Sequence, residues 1–403
     1  MSEGAIIERI AARGDGVTAD GLYVAGGVPG DRVLADGSLQ HGPNRAEAVC
    51  RHFGKCGGCQ LQHVAEAALE DFVRDRVVGA LAAQQIEGVM VRPALVSPPA
   101  SRRRAALTAL KSGKHIALGF NAEKSNQIVD MHMCPLLLPQ LFAVVRPLRK
   151  LLEQIAPPRT PVKVKLQMLD QGPEVILEGV KAAGLDIAFA LQDFAADQGL
   201  ARLSLDQGDG LETMWQPEPP TVNFGSIPVE LPPFSFLQAT AQGEKALVDA
   251  VRECVGDAGA IADLFAGVGT FALSLADGRK VYAAEGARDA IAALAGAGNR
   301  ARALVATEHR DLFRRPLVPD ELNRFGAVVL DPPRAGAEDQ VRELAASQVP
   351  VLAYVSCNPA SFARDAKMLM AGGYQLDWVQ PVGQFRWSTH VELAARFSRR
   401  STL

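Results

Sequence analysis

The chain has 403 residues, room for two or three domains of about 100–200 residues each. Apolar residues make up 48% and charged residues 22%, the makeup of a protein that buries real cores, which excludes a disordered or low-complexity chain. A formal net charge of −3 excludes global attraction to nucleic acid, so any such binding has to use a local basic patch. The opening Met1-Ser2-Glu3-Gly4 lacks the basic and then apolar layout of a signal peptide, and no run approaches the ~20 apolar residues of a membrane span. A cytoplasmic protein with no membrane partner is expected, and in that compartment clustered cysteines point to metal or chemistry rather than to disulfides.

Residues 1–45 carry short runs such as Leu22-Tyr23-Val24 and Arg32-Val33-Leu34 between turn signals, which predicts a few short strands. A cysteine-rich knot follows over 46–62. Leu69, Phe72, Val73, Val77 and Leu81 recur at helical spacing and predict a helix over 66–84. Residues 90–230 mix short strands with proline-bounded connections and read as an α+β domain. Beyond Pro233, predicted strands over 260–264, 280–284, 303–307, 326–330 and 351–355 alternate with helices over 244–255, 271–276, 289–295 and 339–346. A further strand-like run covers 391–397. The alternation predicts a parallel, doubly wound sheet with its ligands at the carboxyl ends of the strands.

Those ends are chemically informative. Strand 260–264 runs into Phe265-Ala266-Gly267-Val268-Gly269-Thr270, where glycines let the backbone approach a ligand and the next helix offers free N–H groups. Glu285, 18 residues beyond Gly267, is placed to accept from ribose hydroxyls, and Asp311 to reach an adenine amino group. No Gly-x-Gly-x-x-Gly and no Lys-Ser/Thr phosphate cradle is present, so S-adenosylmethionine, a nucleoside without phosphates, fits better than NAD or ATP. Asp331-Pro332-Pro333-Arg334 holds a carboxylate on a rigid extended segment. Cys357 closes the last parallel strand in a Ser-Cys-Asn-Pro turn, a candidate nucleophile, and Glu392 opens the late strand as a candidate general base. Nearby positive charge should lower the thiol pKa, and Arg334 and Arg364 are the expected sources.

Upstream, Cys50, Cys56, Cys59 and the distant Cys134 supply four thiolates, with Gly57-Gly58 allowing a tight wrap. The spacing is open between a [4Fe–4S] cluster, zinc and plain reduced thiols. Cys254 has no partner and reads as core. Arg102-Arg103-Arg104, Lys111, Lys114 and Lys124 form the local basic run expected to meet an RNA backbone.

The series FLQAT (236–240), DLFAGVGTF (263–271), LDPPRAG (330–336), YVSCNPASFARD (354–365) and FRWSTHVE (385–392) resembles the RNA 5-methyluridine methyltransferase family over most of the last 170 residues. The resemblance implies a class I, Rossmann-like methyltransferase domain over 233–403 and a central RNA-contacting α+β domain over 96–232. An iron–sulfur segment over 46–95, also using Cys134, and a truncated TRAM-like β module over 1–45 complete the implied order. It implies that Gln238, Phe265, Thr270, Glu285 and Asp331 contact S-adenosylmethionine, that Cys357 is the nucleophile and that Glu392 is the base. The cysteine series is similar to that of the family's iron–sulfur branch, which implies a [4Fe–4S] cluster. Thr240, Thr270 and Arg386 depart from the family's usual Asn, Asn and Pro. The expected activity is C5 methylation of uridine in 23S rRNA by a monomer, with T-loop uridine of tRNA as the alternative substrate. An alternative of another class is a cluster-containing RNA-binding protein without turnover.

Overall fold

The computed structural model describes residues 4–181 and 184–399; the opening Met1-Ser2-Glu3, expected to carry no leader, lies outside them. The C-terminal sheet has nine strands. Along it run Val305–His309, Lys280–Glu285, Ala260–Leu264, Ala327–Leu330 and Val351–Ser356, all parallel. Glu392–Arg399 and then Tyr374–Gly383 follow antiparallel. Side chains alternate across the sheet as strand geometry requires. Val328, Leu330, Leu352 and Tyr354 enter one core, while Ala327, Val329, Ala353 and Val355 enter the other. Both faces are covered, which is why these strands read as unbroken apolar runs. The strand order reverses between Ala260–Leu264 and Ala327–Leu330, and a crevice at the carboxyl ends is the expected consequence.

One strand of this body, and the place where the predicted helix over 66–84 packs, were not legible beforehand. Tyr374–Gly383 contains Asp377 and Pro381, both of which argue against a strand, yet it pairs along nearly its whole length with Glu392–Arg399. Its far edge is covered by Met90–Val91 and Leu95–Val96, which removes an exposed strand edge. Helix Glu66–Ala83 packs on the same strand and on helix Pro359–Ala371 through Leu69, Phe72, Val73 and Val77. The methyltransferase body therefore draws on residues 66–96 as well as on those beyond 233.

The central sheet runs in the order Leu211–Trp215, Arg202–Asp206, Gly172–Glu178, Val162–Leu169, Arg104–Ser112, His115–Gly119. Helices Val145–Ile155 and Leu185–Asp197 pack against each other over a third core, with Leu148, Leu152 and Leu191 wholly buried. On this sheet Arg202 donates to Glu174 at 2.7 Å and to the Leu231 carbonyl at 2.9 Å, tying the sheet to the chain leading into the methyltransferase body. The N-terminal module is smaller: Ile7–Ile10, Gly16–Thr18 and Tyr23–Val24 form one sheet, Arg32–Val33 and Leu39–Gln40 another. Asp31, wholly buried, accepts from Val28 N, Gly42 N and the Arg45 guanidinium and joins the two.

Both partners of the Glu174–Arg202 pair are almost fully buried, so removing one leaves an uncompensated charge inside. Arg202→Ala should lose about 3 kcal/mol or more in urea unfolding, and an unchanged midpoint would show that water reaches the pair.

Candidate active site

The glycine turn is held from below. Asp263, wholly buried, accepts from Ala272 N at 2.8 Å and so ties the short helix Thr270–Ser274 to the strand that precedes it. Phe265 takes φ 65°, a left-handed conformation costly for an aromatic residue. Its ring lies 5.3 Å from that of Phe313. Gly269 has φ 102°, and a Cβ there would meet Leu294 at 2.9 Å. Glu285 accepts from Gly267 N (2.9 Å) and Ala287 N (2.7 Å), so the backbone fixes this carboxylate at the end of its strand. Asp311 accepts from Phe313 N at 3.1 Å and stays exposed.

The Asp-Pro-Pro-Arg loop and the cysteine turn are bonded together. Asn358 Nδ2 (3.0 Å) and Ser361 Oγ (3.1 Å) both donate to the Arg334 carbonyl. Asp365, wholly buried, accepts from Ala337 N at 3.0 Å and from Tyr354 Oη at 2.5 Å. Asn358 also caps helix Pro359–Ala371 by accepting from Ala360 N. None of these three residues was singled out from the sequence. An Asn directly before a proline-started helix was the available signal for Asn358; nothing local marked Asp365.

Register then places the reactive pair. Ser356 pairs with Leu393, so Cys357 and Glu392 each lie one residue beyond that pair, on adjacent strand ends. A cavity of about 620 Å³ opens there, within the usual range for small-molecule sites. Gln238, Phe265, Gly267, Thr270, Glu285, Asp311, Asp331, Cys357 and Glu392 all line it. Gly269 does not; it shapes the turn behind the lining.

The electrostatics correct one expectation. The Cys357 thiol is pushed up, not down: burial dominates, the carboxyls of Glu392 and Asp331 add to it, and Arg334 opposes only weakly. Arg364 takes no part, because Asp365 at 2.7 Å and the Ala335 carbonyl hold its guanidinium. Burial raises Asp331 to about 7. Burial, and then Asp331, raise Glu392 to about 8, against the Gln384 amide and the Arg104 guanidinium. Burial drives Asp263 well above the usual carboxylate range.

The basic run is also redistributed. Arg103 is buried, donating to Glu244 at 2.5 Å and to the Gln238 carbonyl at 2.9 Å. Arg104 donates to the Leu237 carbonyl and lies over the exposed Phe236 ring at 4.8 Å. These arginines dock the central sheet onto the site instead of forming a solvated patch; Lys114 and Lys124 are exposed.

All six cysteines are free, and Cys254 is buried. Cys50, Cys56, Cys59 and Cys134 line one small cavity together with Phe53, Phe120 and Met131. Cys56 and Ala122 form a bridge, and a Cβ on Gly57 would meet the Asn121 carbonyl at 2.9 Å, so the wrap does need glycine. Burial pushes Cys59 up to about 12. Among the described residues, no three His, Cys, Asp or Glu stand close enough to hold a single metal ion.

Five parallel strands, Glu392–Arg399 inserted antiparallel beside the last of them, and a cleft at the topological switch make up a class I S-adenosylmethionine-dependent methyltransferase fold. The family model described as tRNA (uracil-5-)-methyltransferase matches residues 226–400. An RNA methyltransferase of Zymomonas mobilis is 49% identical over 98% of this chain and 99% of its own length. The 23S rRNA (uracil(1939)-C(5))-methyltransferase of Halomonas elongata is 31% identical over 96% of this chain and 87% of its own. The crystal structure of Pyrococcus abyssi tRNA (uracil-54, C5)-methyltransferase with S-adenosyl-L-homocysteine shares the fold, with a TM-score of 0.78, 24% identity and coverage of 98% and 99%. The chain belongs to the RNA (uracil-5-)-methyltransferase family.

Because Glu392 binds its proton more tightly folded than unfolded, the folded state loses stability as pH rises from about 4.5 to about 8. Glu392→Gln removes that loss. Its melting temperature should exceed that of the parent by a margin that widens across this window and levels off above it; a margin independent of pH would contradict the shift.

Proposed function

We propose that this enzyme methylates C5 of uracil in RNA through a covalent adduct between Cys357 and C6, with Glu392 as the base. The observation that carries the reading is the register that brings Cys357 and Glu392 to adjacent strand ends facing one cleft. Uracil C5 is a poor nucleophile. Bonding of the Cys357 thiolate to C6 turns the ring into an enolate whose C5 can attack an electrophilic carbon. S-adenosylmethionine, when bound, supplies that carbon as a sulfonium methyl group. Gln238, Phe265, Thr270, Glu285, Asp311 and Asp331 line the same cleft and would hold it. Glu392 then takes the C5 proton, the C5–C6 double bond re-forms and the bond from Sγ to C6 breaks, returning the thiolate. A buried carboxylate with pKa about 8 is a stronger base than an exposed one.

The substrate read here is a uridine of 23S rRNA, unstacked in a loop or flipped out so that its ring enters the cleft. The Halomonas relative, similar along nearly the whole chain, supports ribosomal RNA. The family description keeps a tRNA T-loop uridine as the second reading. The four cysteines are read as the holders of a [4Fe–4S] cluster. They converge on one cavity without the close set of a single-ion site among the described residues, and Arg102 is placed to oppose the charge of Cys56 and Cys134. The methyl transfer needs no electron, so a cluster there would be structural or RNA-orienting. The segments 1–45 as a short TRAM-like module, 46–95 as the cluster segment and 96–232 as the RNA-contacting domain belong to the same reading, as does a cytoplasmic monomer.

With labelled S-adenosylmethionine and rRNA and tRNA from a strain lacking the enzyme, label is expected in 23S rRNA. Label in tRNA alone would move the assignment to the T-loop, and none in either would favour an RNA-binding protein without turnover. Cys357→Ala should abolish methylation and any adduct. Glu392→Gln should cut turnover by roughly 10²–10⁴ and accumulate methylated protein–RNA adduct; full turnover in either variant would sink the mechanism. Since the thiolate and the Glu392 carboxylate both grow with pH, kcat/KM should rise from pH 6 to about 9, and a falling profile would require other roles for them. Purified protein should carry iron and acid-labile sulfide, both lost in Cys59→Ser; zinc in their place would overturn the cluster.

A further inference from the structure

Gln384 lies just past strand Tyr374–Gly383, two residues beyond the Val382–Glu392 register pair, and its side chain is 2% exposed. Its amide orientation is fixed by chemistry. Ala239 N is a backbone donor, so the Gln384 atom 2.8 Å away must be the acceptor Oε1. Gln384 Nε2 is then the other end. It donates to Gln238 at 2.6 Å, and the register pair Val382–Glu392 sets the same amide beside the Glu392 carboxylate, whose proton it loosens. The Gln238 atom facing a donor must in turn be its Oε1. The remaining Nε2 of Gln238 has no protein acceptor among the described residues, and Gln238 lines the cleft.

We propose that Gln384 is a positioning residue that sets two roles with one amide: it holds the Glu392 carboxylate as an acceptor, and it turns Gln238 so that N–H donors face the cleft. The ligand group recognised by Gln238 is therefore an oxygen acceptor, a chemistry shared by the carboxylate of the methyl donor and a carbonyl of the uracil ring. Space favours this residue too, since a Cβ on Gly243 would meet the Gln384 Cβ at 2.6 Å, so the helix start closes over the amide. The other groups facing Glu392 are Asp331 from its loop, Arg104 from the central sheet and Cys357 from the neighbouring strand. None of them contacts Gln238 through the amide.

The proposal rests on the reading of Glu392 as the base, but its test need not. The stability gain of Glu392→Gln as a function of pH reports the Glu392 proton directly, whatever the residue does in turnover. Measured with and without Gln384→Leu, the midpoint of that gain should move upward by about one pH unit, because the carboxylate loses a donor. Gln384→Glu should move it further, through like charge. The rising limb of kcat/KM should move with it. A merely structural role would lower the melting temperature equally at every pH and leave the midpoint in place, and that result would overturn the proposal. If Gln384→Leu fails to fold, Gln384→Met keeps the length without the donors.

Binding then separates the two sources of the acceptor. S-adenosylhomocysteine affinity falling about tenfold in Gln384→Leu, with no further loss when Gln238→Ala is added, assigns Gln238 to the methyl donor. An unchanged affinity with a raised KM for RNA assigns it to uracil. Full additivity of the two variants in both measurements would show that Gln384 does not orient Gln238. If Glu392→Gln instead retains full turnover, the base assignment fails while the stability titration still decides on Gln384.

Discussion

The backbone pairing of Val351–Ser356 with Glu392–Arg399 is the constraint on which the site depends. A nucleophile and a base on opposite sides of a held ring need fixed separation, and hydrogen-bonded strands supply it more rigidly than loops would. A slip of one residue in Glu392–Arg399 would turn Glu392 to the opposite face and take it away from Cys357. On the mechanism proposed, the antiparallel insertion of Glu392–Arg399 beside the last parallel strand is what fits the cleft for chemistry on a pyrimidine.

The charge in that cleft follows from the same packing. Asp331, Glu392 and Cys357 gather at the strand ends with Asp263 buried behind them; Arg104 opposes Glu392 and Arg334 opposes Cys357, and each proton is held more tightly than in water. Burying several acids together is unfavourable on its own. It suits a ligand that brings a positive charge, and a sulfonium does.

The chain's first half is built into this arrangement. Gln60 N and Leu61 N, beside the cysteine cavity, both donate to the Trp387 carbonyl, at 2.7 and 2.9 Å. Trp387 takes φ 58°, and Arg386 pairs with Glu66 and donates to the Ser97 carbonyl. The departure from proline at Arg386 thereby gains a physical account: it ties the loop that carries Glu392 to the helix and strands of residues 66–97. Thr240, where the family usually has Asn, caps helix Ala241–Val255 by accepting from Gly243 N and hydrogen-bonds Ser97. Thr270 lines the cleft, and nothing further in the structure explains its difference.

The sequence by itself determined the parallel strands, the glycine turn and the strand-end residues, because each depends on local periodicity or on a residue's own chemistry. Cys357, Glu392 and the acids at strand ends could be named for that reason. Only the tertiary structure decided what surrounds them. The upward shift of the Cys357 thiol, the hold of the Ala335 carbonyl on Arg364, the burial of Arg103 and the amide of Gln384 all depend on residues distant in the chain. So are the strand Tyr374–Gly383, masked by its proline, and the helix of residues 66–83 on the methyltransferase sheet. Burial and partner choice depend on what packs opposite, and no spacing within a segment carries that information.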